Sequence, residues 1–248
     1  MHETIAVTGV VLAVSPVGEF DRRVVLLTRE LGKISAFARG ARKQNSPLLA
    51  GTRTFAFGVF ALYAGRNSYT LQSTEIKEYF SELSLSAEAV SYGCYFLEVA
   101  DYFTREGSEE SQMVNLIFVT LKALLNPNLD NRLIRRVYEF RALVLNGEYP
   151  SVFACAECGK ELTEGIFSYT NGMVYGLECS RAEKSGYHLQ EAAVYALQYI
   201  VSAAFGKLYT FVLKPDILKE VEEVVSWCMN YYVGRKFQSL SVLEAITT

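Results

Sequence analysis

The chain has 248 residues, half of them apolar and about a fifth charged, with a formal net charge of −3. That length can enclose one large domain or two small ones with real cores, and the composition is that of an ordinary globular protein. No apolar run approaches the length of a membrane span, and Met1 to Ser15 lacks the basic start and uninterrupted apolar stretch of a signal peptide, which points to a cytoplasmic protein.

Taken in chain order, the first 80 residues read as strands. Ile5 to Ser15 is rich in β-formers, with Gly9 marking a bulge. Val24–Thr28 and Ile34–Ala38, joined through Leu31-Gly32-Lys33, form a hairpin. A polar loop from Gly40 to Thr52 follows. Phe55, Phe57, Val59, Ala61 and Tyr63 then alternate with period two, which puts them on one strand face. After a turn at Ala64-Gly65-Arg66-Asn67, Tyr69 to Ile76 is the last strand. Five short strands in this span predict a small closed barrel of the OB-fold type, which commonly binds oligonucleotides.

From Ser84 the period becomes helical, with apolar stripes at Val90/Cys94/Leu97, Met113/Ile117/Leu121/Leu124 and Leu133/Val137/Phe140/Val144. Residues 150–186 lose periodicity. Two more helices follow, marked by Val194/Leu197/Val201 and by Val221/Val225/Cys228/Tyr232. The expected class is α+β. An OB-fold barrel over 1–80 leads to a helical domain over 81–149 and 187–248, interrupted by a cysteine-containing, zinc-ribbon-like insert over 150–186.

The acidic net charge conceals a basic segment. Between Arg22 and Arg66 nine basic residues (Arg22, Arg23, Arg29, Lys33, Arg39, Arg42, Lys43, Arg53, Arg66) face one acid, Glu30. Such a stripe suits a phosphate backbone, and aromatic rings interleaved with it suit stacking of single-stranded bases. The shared face of Phe55, Phe57 and Tyr63 argues that most of the rings fill the barrel instead. The arginines resist that plainer reading, because unopposed like charges repel unless an anion is expected. Arg22, Arg23, Arg39, Arg42, Lys43, Arg53 and Arg66 are therefore the candidate DNA contacts.

Five cysteines, at 94, 155, 158, 179 and 228, are not a secreted disulfide framework. Cys94 and Cys228 lie inside apolar helical patterns and read as small hydrophobes. Cys155-Ala-Glu-Cys158 followed by Gly159-Lys160, with Cys179 beyond, looks like part of a zinc ribbon, but a second knuckle would need cysteine where Ala182 stands. His188, or an acid such as Glu183, is the candidate fourth ligand. The alternative is a metal-free remnant held by packing.

No catalytic constellation stands out. His2 and His188 are the only histidines, and neither a phosphate-binding loop nor a dinucleotide fingerprint occurs, so the chain reads as a non-enzyme.

Several stretches are similar to the RecO family of recombination mediators. The run from Gly18 to Lys43, ending Phe37-Ala-Arg-Gly-Ala-Arg-Lys43, is the strongest. Tyr95-Phe-Leu-Glu-Val-Ala-Asp101, Tyr149-Pro150 before Cys155-x-x-Cys158-Gly159, and Gly234-Arg-Lys-Phe-Gln-Ser239 follow in order. The resemblance implies an OB-fold joined to a helical domain with a zinc-binding insert, binding of single- and double-stranded DNA, and strand annealing at the nucleoid. It also implies partnership with RecR and the single-stranded DNA-binding protein SSB, and so, indirectly, loading of RecA. Ala182 departs from the zinc-bearing pattern.

The acidic, apolar-ended SSB tail that the resemblance implies needs cations beside an apolar pocket. Arg132, Arg135 and Arg136, with Leu133, Val137 and Phe140 on the adjoining face, are the candidates, and Arg235-Lys236 is the next. An ordinary amphipathic helix with a basic outer surface explains the same pattern. A different class of function, an OB-fold RNA-binding accessory protein, is separated from the first by matched DNA and RNA binding.

Overall fold

The structure is a computed structural model that describes residues 4–65, 68–179 and 186–247. Strands β1 (Thr4–Val17), β2 (Asp21–Thr28), β3 (Gly32–Ala38), β4 (Phe57–Ala64) and β5 (Tyr69–Glu78) close a barrel in the order β1-β2-β3-β5-β4. All pairs are antiparallel except β3–β5. Val7, Val11, Val24, Leu26, Ile34, Phe60, Leu62 and Leu71 fill its interior.

The structure differs from the sequence-based expectation at two points in the barrel. The bulge in β1 falls between Val11 and Ala13, not at Gly9. Gly9 is needed for another reason: it pairs with both Thr28 and Gly58, and a Cβ there would sit 2.1 Å from the Leu27 carbonyl oxygen. The alternating face of β4 is real, but it is the outer one. Phe60 and Leu62 point into the barrel, whereas the Phe57 ring meets Phe118 at 4.7 Å and Phe55 packs at Gly93. A barrel flanked by helices has two apolar faces on one strand, so alternation alone cannot say which is inside.

Helices α1 (Ala87–Phe103), α2 (Ser111–Leu124), α3 (Asn131–Leu145), α4 (Glu191–Ser202), α5 (Pro215–Tyr232) and α6 (Gln238–Thr247) follow. A small sheet of β6 (Gly165–Ser168), β7 (Val174–Tyr175) and β8 (Gly186–Leu189) lies between α3 and α4 in the chain. Contacts divide the protein into two units, residues 1–125 with 237–248, and residues 126–236. In the first unit α1, α2 and α6 accompany the barrel. Glu98 of α1 accepts the backbone N–H groups of Gln238 (3.2 Å) and Ser239 (3.0 Å) at the start of α6, and the rings of Tyr95 and Tyr102 meet Phe237 edge-on. A carboxylate is a suitable partner for the orphan amides of a helix start.

In the second unit α3, α4 and α5 surround a core that includes Val137, Phe140, Leu197 and Val225. Arg141 donates to the carbonyls of Ile200 and Val201, satisfying two acceptors in the last turn of α4, and its guanidinium lies over the Phe205 ring. Gln198 donates to the carbonyls of Val152 and Leu162, both at 2.9 Å, which ties the cysteine-bearing segment to α4.

Candidate nucleic-acid interface and cysteine centre

Part of the basic segment gathers where the loop after β3 meets the β1–β2 turn, whereas Lys33 pairs with Asp101 at 3.0 Å and Arg29 donates to Asn115 Oδ1 at 2.8 Å at the other end of the β2–β3 pair. The loop after β3 turns back over the β1–β2 hairpin, where the Gly40 amide donates to Asp21 Oδ1 (2.7 Å) and the Arg42 amide to the Phe20 carbonyl (2.9 Å). Arg42 Nη1 also donates to the Gly18 carbonyl at 3.1 Å. Lys43 Nζ lies 5.5 Å from the centre of the Phe20 ring. Arg23 and Phe37 are cross-strand partners on β2 and β3, so they share a face. Arg23, Arg39, Arg42, Lys43 and Arg53 are all exposed, as are the rings of Phe20 and Phe37.

Arg22 stands apart from the others named with it. Its Nη1 donates to the carbonyls of Leu49 and Thr52, both at 3.0 Å, and to Thr52 Oγ1 at 2.8 Å. Burial, then the positive charges of Arg53 and Arg42, lowers its pKa. Arg22 is thus a strut for the loop that carries the exposed cations. Arg53 and Arg42 lie close enough to add their charges to the larger effect of burial. Arg66 lies outside the described residues.

Phe20 is an exposed ring beside these cations that the sequence reading did not single out. Its signal was a large apolar side chain in a tight turn between Gly18, whose φ is 56°, and Asp21, where a core role is hard to arrange.

The candidate partner surface on α3 is organised differently from the expectation. Arg135 Nε and Arg136 Nη1 donate to the two oxygens of Glu139, at 2.8 and 2.7 Å, and that carboxylate is fully buried. Arg132 grips Glu222 of α5 with two bonds, at 3.1 and 2.6 Å. Leu133, Val137 and Phe140 are core residues, so the apolar half of the expected pocket is closed. An open apolar groove in this unit lies instead beside α4. It has a volume of about 340 Å³ and is lined by Ala192, Tyr195, Ala196, Tyr199, Phe211 and Val212 among others. Tyr195 and Val212 are largely exposed.

Cys155, Cys158 and Cys179 come together, all three sulfurs lying within 4.8 Å of one another. Backbone geometry builds the knuckle: the Cys155 amide donates to the Lys160 carbonyl, the Gly159 amide to Cys155, and Gly159 adopts a φ of 71°. Burial pushes the Cys155 thiol up, but amide bonds from Cys158, Gly176 and Glu157 outweigh it and bring the value down to about 7. The thiolate so formed is hydrogen-bonded by the other thiols, and Cys179 is pushed up to about 12, first through its bond with Cys158. A sulfur ringed by amide donors is suited to remain a thiolate, and three such ligands could hold a metal ion. His188 does not join them. It lies on β8, with Nε2 3.0 Å from Glu164 Oε1. No other His, Cys, Asp or Glu completes the group among the described residues, which do not include Glu183. Of the other cysteines, Cys228 is fully buried and Cys94 half-buried, as expected of small apolar side chains.

A closed five-stranded barrel bearing exposed cations and rings is an architecture that commonly binds oligonucleotides, and here it is followed by a helical unit with a thiol knuckle. Comparison with known families gives the particular member. Residues 1–80 match the family model for the recombination protein O N terminal, and residues 85–241 match that for the recombination protein O C terminal. The chain belongs to the RecO family. It is 27% identical over 240 residues to the DNA repair protein RecO of Acetivibrio thermocellus, covering 96% of both chains. It is 28% identical to that of Alkaliphilus metalliredigens, covering 96% of this chain and 98% of the other. The same name belongs to a Listeria monocytogenes relative, 28% identical over 236 residues. No described helix is long and apolar enough to cross a membrane.

Proposed function

We propose that this protein is a non-catalytic recombination mediator of the cytoplasm and nucleoid that binds single- and double-stranded DNA and anneals complementary strands. It cooperates with RecR and SSB to load RecA. The observation that carries this reading is the corner of the barrel where Phe20 and Phe37 stand exposed among Arg23, Arg39, Arg42, Lys43 and Arg53. Rings accept bases without regard to sequence, and the cations follow the phosphates. The deciding experiment is annealing of complementary strands coated with SSB, alongside salt-dependent binding of matched DNA and RNA. Annealing no faster than the spontaneous rate, or preference for RNA, would overturn the reading.

For the SSB tail, the exposed Tyr195 and Val212 beside α4, with Lys207 and Lys214 close by in sequence, support docking on this groove in place of α3. An apolar anchor supplies most of the affinity in such a site and exposed cations supply orientation. Val212→Asp is expected to weaken a tail peptide about tenfold or more, by filling an apolar groove with a charge that also repels the peptide. Fluorescence polarisation with the labelled peptide checks this, and equal affinity would move the site elsewhere.

For the cysteine centre, the donor set fits zinc with three protein thiolates and one open position. Zinc there would hold the two ends of the knuckle segment together as a structural tie. Because the ligands must lose protons, affinity is expected to rise as pH rises through about 7, where Cys155 ionises, and to keep rising above it while Cys179 still carries its proton. Competition against a chromophoric chelator at several pH values measures this. A flat profile, or undiminished affinity in Cys158→Ser, would count against the site.

A further inference from the structure

One feature of the barrel face sits uneasily with simple phosphate tracking. A cavity of about 420 Å³ opens there, within the roughly 300–1,000 Å³ of small-molecule sites, and its lining includes Arg23, Ser35, Phe37, Tyr69 and Glu106. Phe37 lies between Arg23 on β2 and the β5 strand, where Tyr69 pairs with its neighbour Ala36. Arg23 Nε donates to Ser35 Oγ at 2.7 Å, which leaves its other nitrogens for a ligand.

Glu106 comes from outside the barrel, on the connection between α1 and α2. That connection is bound to the β2–β3 hairpin: the Lys33 amide donates to the Arg105 carbonyl (2.9 Å) and the Gly107 amide to the Leu31 carbonyl (3.0 Å). Gly32 makes the approach possible, since its φ is 68° and a Cβ would stand 2.1 Å from the Arg105 oxygen. The Tyr69 hydroxyl is hydrogen-bonded to Glu106. Burial, then the charge of Glu106 and that bond, raises the Tyr69 pKa, so the hydroxyl keeps its proton and goes on donating. The carboxylate therefore stands at the wall of the cavity beside the Tyr69 hydroxyl.

A carboxylate repels phosphate, so its place in this groove calls for a different partner. An ionised carboxylate only accepts, and with Tyr69 using one position it still has lone pairs to offer. Among the DNA bases, guanine alone presents two adjacent N–H donors on its Watson–Crick edge. Cytosine and adenine each place a ring-nitrogen acceptor beside the amine, and thymine flanks its single N–H with two carbonyls. Each of these sets a lone pair against the carboxylate.

We propose that this cavity is a subsite for one unstacked guanine of the bound strand, with the base against Phe37, its Watson–Crick edge on Glu106 and its phosphate on Arg23. The inference rests on the single-stranded DNA reading and adds a base preference to it. The test is anisotropy of a short labelled thymidine oligonucleotide carrying one central guanine, one hypoxanthine (which lacks the exocyclic amine) or no substitution. Guanine is expected to bind about tenfold more tightly than thymine, near the lower end for a bidentate base contact because Glu106 is exposed, with hypoxanthine between them. In Glu106→Gln the guanine-to-thymine ratio should fall to about one. Equal affinities in the unaltered protein, with salt-dependent binding of every strand, overturn the subsite and leave the DNA reading intact. A guanine preference that survives Glu106→Gln also overturns it. Failure to bind any strand overturns the DNA reading itself.

Discussion

Replacing Arg39, Arg42 and Lys43 together by alanine is expected to weaken single-stranded DNA binding equally for unrelated sequences. It should also flatten the log–log salt dependence by about 2, since each lost phosphate contact on a single strand removes about 0.7. All three side chains are exposed, and apart from the solvent-exposed bond from Arg42 Nη1 to the Gly18 carbonyl the loop that bears them is fastened by other atoms. The Gly40 amide bonds Asp21, the Arg42 amide bonds Phe20, and Arg22 holds Leu49 and Thr52 from below. The triple variant should therefore keep its thermal midpoint while its affinity falls. Arg22→Ala makes the contrast. It leaves the exposed cations in place but removes three hydrogen bonds to the loop, so its DNA loss should come with a lower midpoint. Binding isotherms across a salt series, with melting curves for each variant, separate the two. An unchanged slope in the triple variant would remove this corner as the phosphate contact.

How much of this could be read from the chain depends on whether the partner of each residue was near in sequence. Strand period, turn residues and the basic run are local, and they located the five strands and the exposed cations. The Cys155–Cys158 knuckle is local too. The role of Arg22 was hidden because its acceptors are the carbonyls of Leu49 and Thr52, and main-chain atoms carry no sequence signal. The sidedness of β4 was hidden because both of its faces are covered. The α3 arginines looked like a docking surface for the same reason, since one acid they serve, Glu222, lies 90 residues from Arg132. Helix α6 carries too short an apolar pattern to announce itself. The structure shows what defines it: Glu98 of one family-like stretch bonds the amides of Gln238 and Ser239 in another. Glu106 was invisible as a site residue, because only the folded chain brings it to Tyr69.

Glu139→Ala is expected to cost the second unit about 3–5 kcal/mol, the usual consequence of removing one partner from a buried ion network. The Glu139 side chain is 1% exposed, and those of Arg135 and Arg136 are only 17% and 13% exposed. Without the carboxylate, two guanidinium groups stay in a poorly solvated place. Arg136 is left with Glu222 at 3.9 Å, and its Nε has no hydrogen-bond partner even in the intact protein. Arg132→Ala breaks a closer ion pair, with Glu222 at 2.6 Å, yet the Arg132 side chain is 57% exposed. Water and salt already screen that pair, so its loss should cost less than about 1 kcal/mol. Trp227 offers a reporter for this comparison. It is the only tryptophan of the chain, and its indole donates to the Tyr169 carbonyl at 3.1 Å within the same unit. Its fluorescence should show a midpoint lowered on the order of 10–20 °C in Glu139→Ala and nearly unmoved in Arg132→Ala. A midpoint as little moved in Glu139→Ala as in Arg132→Ala would mean that the Glu139 network does not anchor α3. The arginines would then be available to a partner after all, since nothing in the unit's stability would depend on keeping them where they are.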